Sequence, residues 1–141
     1  MRRYLFDDQS VTPEFIRAVL AQSVSDFEER QFGIWTVREK CVDAAIGFCG
    51  LRLVQDLGAV EVLYALTESK WKHGYAFEAA SSIIHYAFEL AALDEIVGIT
   101  DVPNVSSWRI LEKLGMREFR PPSARPHLRY ASLTRRERVA D

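Results

Sequence analysis

Ala59-Val60-Glu61-Val62-Leu63-Tyr64-Ala65-Leu66-Thr67, the loop Glu68-Ser69-Lys70-Trp71-Lys72-His73-Gly74, the run Tyr75 to Ala91 and then Glu95-Ile96-Val97-Gly98-Ile99-Thr100 form the stretch that decides the architecture. The first segment is apolar with one carboxylate, Glu61, inside it, the pattern of a buried strand. From Tyr75 onward Ala76, Ala79, Ala80, Ile83, Ile84, Ala87, Phe88 and Ala91 recur at the spacing of one helical face. The last segment is short and β-branched, like a second buried strand. Strand, long helix and strand in that order give a parallel crossover.

Upstream, Asp56-Leu57-Gly58 reads as a turn that folds Ala44 to Val54 back as an antiparallel strand. The polar break Glu39 to Asp43 pairs that strand with Phe32 to Arg38, which makes three antiparallel strands. Thr12-Pro13-Glu14 places a hydroxyl, a proline and a carboxylate where a helix begins, so the spacing predicts a helix from Pro13 into the low twenties. Downstream, Asn104 to Leu114 reads as a helix stopped by Gly115, and Met116 to Phe119 and Leu128 to Thr134 as two final strands. Arg135-Arg136-Glu137-Arg138 reads as a charged terminus. The expected class is α/β (α+β), with a mixed, mostly antiparallel sheet in one domain over residues 1–141.

Composition narrows the function. A chain of 141 residues, 48% hydrophobic, builds its core without a metal or disulfide staple. A net charge of −2 supplies no field for nucleic acid or an anionic membrane, so neither is an expected partner. No apolar run reaches the roughly 20 residues of a membrane span, and Met1-Arg2-Arg3-Tyr4 opens no secretory leader, so a cytoplasmic location is the expectation. Cys41 and Cys49 are expected to be reduced and buried. They and His73, His85 and His127 lack ligand spacing, so no metal is expected.

Chemistry has a natural seat at the junction Thr67 to Glu78, where a strand passes through a short loop into a helix N-terminus. Unpaired N–H groups and the helix dipole stabilise an anion there, and Gly74 and Ala76 are small enough for a diphosphate to reach the backbone. Lys70, Lys72 and His73 add local positive charge. An ordinary solvated loop is the bland alternative. No phosphate-loop or dinucleotide fingerprint occurs, which argues against ATP and NAD. Asn104, Ser106 and Ser107 open the next helix, so two helix N-termini would flank one cleft.

Trp71-Lys72-His73-Gly74-Tyr75-Ala76-Phe77-Glu78-Ala79, Thr100-Asp101-Val102-Pro103-Asn104 and Ser107-Trp108-Arg109-Ile110-Leu111-Glu112-Lys113-Leu114-Gly115-Met116 together resemble the GNAT superfamily of N-acetyltransferases, in particular its Rim-type branch. The resemblance implies helices on both faces of the sheet and a splayed parallel strand pair. It also implies acetyl-coenzyme A as cosubstrate, its diphosphate on the amides of Lys72, His73, Gly74, Tyr75 and Ala76 beside Trp71. The pantetheine arm would lie along Ala65, Leu66 and Thr67 and touch Asn104. The family loop usually carries glycine where this chain has Lys72. The region from Arg3 to Lys40 resembles the part of the family that comes after its first strand and first helix, so the chain is expected to be short at its N-terminus. The strand Phe32 to Arg38 would then be an open edge, which predicts a homodimer.

The implied reaction moves acetyl from the thioester to a primary amine, either a protein N-terminal α-amine or a small-molecule amine. An α-amine of pKa about 8 is easily neutralised near pH 7, whereas a lysine at about 10.4 costs roughly 4–5 kcal/mol. Glu61 is the candidate base, unless strand alternation turns it to solvent. Ser107 is the candidate hydrogen-bond donor to the coenzyme sulfur, unless it only caps its helix. Tyr64 and Tyr75 are alternative donors, and a backbone N–H near Leu66 would meet the oxyanion. Trp35, Phe48, Trp71 and Trp108 read as core or cleft wall. A non-catalytic coenzyme A-binding or interaction module is the competing reading.

Overall fold

A computed structural model describes residues 13–40, 45–71 and 73–140. Lys72, Cys41 and the N-terminal segment ahead of Pro13 lie outside these described residues. The chain runs α1 (Pro13–Arg30), β1 (Ile34–Arg38), β2 (Ala45–Val54), β3 (Ala59–Leu66), a short 3-10 turn (Glu68–Lys70) and α2 (Tyr75–Glu89). It continues with β4 (Glu95–Asp101), α3 (Val105–Lys113), β5 (Arg117–Phe119), β6 (Leu128–Thr134) and α4 (Arg135–Ala140). The strands form one mixed sheet in the order β1-β2-β3-β4-β6-β5, and β3 with β4 is its parallel pair.

The β2–β3 ladder is continuous from Val54↔Ala59 to Gly47↔Leu66. Its alternation sorts the β3 side chains. Val60, Val62 and Tyr64 share a face with Cys49, Leu51 and Leu53, and α2 covers that face through Ala80, Ile83, Ile84, Ala87 and Phe88. Glu61, Leu63 and Ala65 point the other way. α3 completes the same core with Trp108 and Leu111. It sits close because Gly98 is the β4 residue beneath it: a Cβ there would come within 2.7 Å of Leu111. Burying these apolar side chains at about 25 cal/mol per Å² is the main source of stability.

Between β3 and β4 the ladder holds only Val60↔Ile96 and Glu61↔Val97. The two strands then part, while β4 remains paired with β6 along its length from Glu95↔Thr134 to Asp101↔Leu128. The parting has a backbone consequence. Thr67 N–H donates to Ile46 O, so by antiparallel alternation the odd-numbered β3 residues exchange bonds with β2. Tyr64 and Leu66 therefore turn their N–H groups toward the gap.

Two elements differ from expectation. α1 runs on to Arg30 rather than stopping in the low twenties. Polar residues carry its last turns: Ser23 Oγ accepts the Ile34 N–H at 2.8 Å, Asp26 accepts from Gln22 and lies beside Arg30, and Phe27 packs edge-on against Trp35. The charged terminus is a capped helix, α4, in which Glu137 and Thr134 exchange hydrogen bonds and Arg135 holds the Leu93 carbonyl.

Candidate active site

A cavity of about 660 Å³ passes through the sheet where β3 and β4 part. On the helix-covered side it is lined by Tyr64, Leu66, Trp71, Gly74, Tyr75, Phe77, Asn104 and Ser107. From the opposite face Arg52, Val54, Glu61, Leu63 and Tyr130 reach it. Residues of both faces of the sheet therefore border one cavity, the arrangement needed to bring two reactants together from opposite sides.

The β3–α2 turn forms one end. Gly74 is the N-cap of α2 with φ 80°, no side chain caps the helix there, and a Cβ on Gly74 would meet nothing within 4 Å. The first amides of α2 thus face an open concavity that suits an anionic diphosphate. Glu39, just beyond β1, holds this turn: Lys70 Nζ lies 2.7 Å from its carboxylate and the Tyr75 hydroxyl donates to it at 3.1 Å. Those two donors keep the Glu39 carboxyl below its ordinary range. The lysine is correspondingly pushed up by the carboxylate. Lys70, expected to offer its charge to a phosphate, spends that charge on Glu39 instead. Trp71 closes the loop, its indole N–H donating to the Leu66 carbonyl at 3.0 Å.

The second helix N-terminus is built differently. Asn104 caps α3 by accepting the Ser107 N–H on Oδ1 at 3.1 Å. Capping is therefore the work of Asn104, and Ser107 Oγ is directed instead to the Tyr64 hydroxyl at 2.9 Å. Burial pushes the Tyr64 phenol up to about 12, opposed by the bond to Ser107 and reinforced by the negative charge of Glu61.

Glu61 is buried, at 7% exposure, rather than turned to solvent. Arg52 Nη2 lies 2.8 Å from its Oε1 and offsets much of the cost of burying the charge. This partner was missed in the sequence although a signal was present: the turn after Val54 pairs Val54 with Ala59, and counting back two residues sets Arg52 opposite Glu61.

Of the expected site residues, Glu61, Ala65, Leu66, Trp71, Gly74, Tyr75, Ala76, Asn104 and Ser107 line the one cavity. Thr67 and His73 do not. The Thr67 amide is used by Ile46 in the β2–β3 ladder, and His73 is an exposed residue stacked on Tyr75. Thr100, Asp101, Lys113 and Arg125 also line the cavity, and the sequence reading gives none of them a role in the site.

Comparison with known proteins agrees with this geometry. Residues 1–117 match the family described as "Acetyltransferase (GNAT) domain". The uncharacterized N-acetyltransferase p20 of Bacillus licheniformis is 29% identical over 101 residues, covering 70% of this chain and 57% of that protein. The uncharacterized protein YkkB of Bacillus subtilis is 28% identical over 92 residues, 62% of this chain and 54% of its own. The chain thus spans about half the length of the curated relatives it matches. Among solved structures, an acetyltransferase from Agrobacterium tumefaciens superposes with a TM-score of 0.80 at 20% identity over 89% of this chain and 74% of that one. The ribosomal-protein-S5-alanine acetyltransferase of Vibrio fischeri does so with 0.70 at 20% identity over 87% and 72%. These superpositions establish a shared fold, and with the match over residues 1–117 they place the chain in the GNAT acetyltransferase family.

Proposed function

We propose that this chain is an N-acetyltransferase that moves acetyl from acetyl-coenzyme A directly to a primary amine, in the manner of the Rim-type branch. The observation that carries the reading is the two-rung pairing of β3 with β4 and the cavity that runs through the gap. The residues present fit the donor. The uncapped start of α2 at Gly74 suits a diphosphate, and the Tyr64 and Leu66 amides offer strand-like partners to an amide-bearing arm. The bound donor supplies an acetyl group activated as a thioester.

The chain's own groups do the rest. The Leu66 N–H faces the gap and is placed to meet an oxyanion. Ser107 Oγ, freed from capping, is the hydrogen-bond donor toward the sulfur. Glu61 takes the proton from the incoming amine, directly or through water, and Arg52 orients its carboxylate. A thiol of pKa about 8.5 leaves readily, so alignment of the reactants contributes more than protonation of the sulfur. The acceptor enters on the Arg52, Val54 and Tyr130 side and is a protein N-terminal α-amine or a small-molecule amine. Among the described residues β1 is an outer strand, and the partner proposed for that edge is a second copy of the chain, which sedimentation would reveal as a dimer.

The deciding experiment measures thiol release from acetyl-coenzyme A with a panel of peptides and small amines, alongside calorimetric titration of coenzyme A. Amine-dependent release supports transfer. Binding without release from any amine identifies a non-catalytic coenzyme A module, and absence of binding removes both readings.

A further inference from the structure

We infer that Tyr64 is a positioning residue whose hydroxyl fixes the direction of the Ser107 proton, aiming it into the gap between β3 and β4. The inference rests on the donor site proposed above, and concerns how its sulfur is met.

Tyr64 stands in β3, packed against the core formed with α2, and lines the cavity as well. Its hydroxyl meets α3 at Ser107, lying 2.9 Å from Ser107 Oγ and 3.4 Å from the Ser107 carbonyl oxygen. The serine is otherwise released from helix duty. Its N–H is held by Asn104 Oδ1, and the Asn104 carbonyl accepts from Trp108 N at 3.2 Å. Two hydroxyls in contact share one bond and leave one proton to point elsewhere.

A phenol is the better donor of the two and an aliphatic hydroxyl the better acceptor. Tyr64 therefore donates to Ser107 Oγ, and the remaining proton is the serine's, on a residue that lines the cavity. Accepting that bond also polarises the serine O–H and strengthens what it can donate. The reverse order would leave the phenolic proton to the Ser107 carbonyl, whose 3.4 Å contact is long for an O–H donor.

The pair stabilises charge without giving up a proton. With the phenol at about 12, hand-off to a thiolate of pKa about 8.5 runs uphill by more than three units, so Tyr64 stays protonated throughout the working range. Tyr64 is thus distinguished from a general acid.

The test uses Tyr64→Phe, Ser107→Ala and the double variant, read first without turnover. The ultraviolet absorbance of the thiolate, measured against pH, gives the thiol pKa of coenzyme A bound to each protein. The expected result is a depressed value in the native protein that rises in both single variants, with the double variant no different from Ser107→Ala. In turnover, Tyr64→Phe lowers kcat about tenfold, leaves KM for the donor within about twofold and does not move the alkaline limb of the pH profile. Additive losses in the double variant, a shifted alkaline limb, or an unchanged thiol pKa in Tyr64→Phe overturns the inference. The thermal midpoint of Tyr64→Phe stays near the native one, since the ring is retained. A normal set of thiol shifts with no amine acetylated upholds the pair and removes the transfer reading, whereas failure of coenzyme A to bind overturns both.

Discussion

Replacing Gly74 by alanine separates the cost of a left-handed backbone from the cost of crowding an anion. Gly74 has φ 80° and open space around a would-be Cβ, so the substitution creates no clash within the chain. It still forces an L-residue into the left-handed region, at about 1–2 kcal/mol. For 141 residues the unfolding entropy is near 0.3 kcal/mol/K, from about 2.1 cal/mol/K per residue, so Tm should fall by about 3–7 °C. On the proposed reading, the added methyl also stands where the diphosphate would approach the first α2 amides. Loss of one charge-assisted amide bond costs about 1.5–3 kcal/mol, roughly a 10- to 100-fold weaker Kd for coenzyme A. Gly58 supplies the control: it has φ 61°, equally open space, and lies in the β2–β3 turn at the opposite end of β3 from Gly74. Gly58→Ala should lower Tm by a similar amount and leave Kd unchanged. Thermal scanning and calorimetry on the three proteins read both quantities. Gly74→Ala that binds as tightly as the native chain, or Gly58→Ala that loses as much affinity, would refute the assignment of the diphosphate to this turn.

Gly98→Ala should destabilise by about 1–3 kcal/mol, seen as a lower urea midpoint, because its Cβ falls 2.7 and 2.8 Å from the Leu111 methyls and 3.1 Å from Met116 Sδ. Glu39, whose carboxyl is held low by Lys70 and the Tyr75 hydroxyl, contributes stability that is complete above its ordinary pKa of 4.5 and is lost as pH falls below it. Thermal scans should therefore show the gap between the native chain and Glu39→Gln closing on acidification through that range. Burial pushes the Cys49 thiol up to about 11, so at pH near 8 iodoacetamide should leave the Cys49 peptide unmodified in the folded protein and label it after denaturation, as read by mass spectrometry.

Local periodicity made most of the architecture legible. The apolar stripe of α2 and the short β-branched runs around it are first-order signals, and they suffice to place β3 beside β4 in parallel. What periodicity lacks is contact between distant polar atoms. The end of α1 is held by Ser23 and Phe27 against β1, so its apolar spacing fades before the helix does. Lys70 reads as a phosphate partner in its own loop because the competing carboxylate, Glu39, belongs to another hairpin. Ser107 reads equally as a cap or a donor until Asn104 and Tyr64 are seen to divide those roles. Glu61 is the opposite case: a lone carboxylate among apolar neighbours is enough to mark it.

A sheet ordinarily exposes raw edges only at its two outer margins, where charge, proline or short length discourages fusion with other proteins. Where β3 leaves β4, this sheet acquires a third margin inside the molecule, floored by Tyr64 and Leu66 and walled by α2 and α3. Its unpaired amides lie inside the fold rather than along an outer margin, so a neighbouring protein's strand does not meet them as it would meet an outer strand. Recessing this margin between two helices thus limits edge-to-edge fusion while leaving strand-like donors open to the proposed cosubstrate.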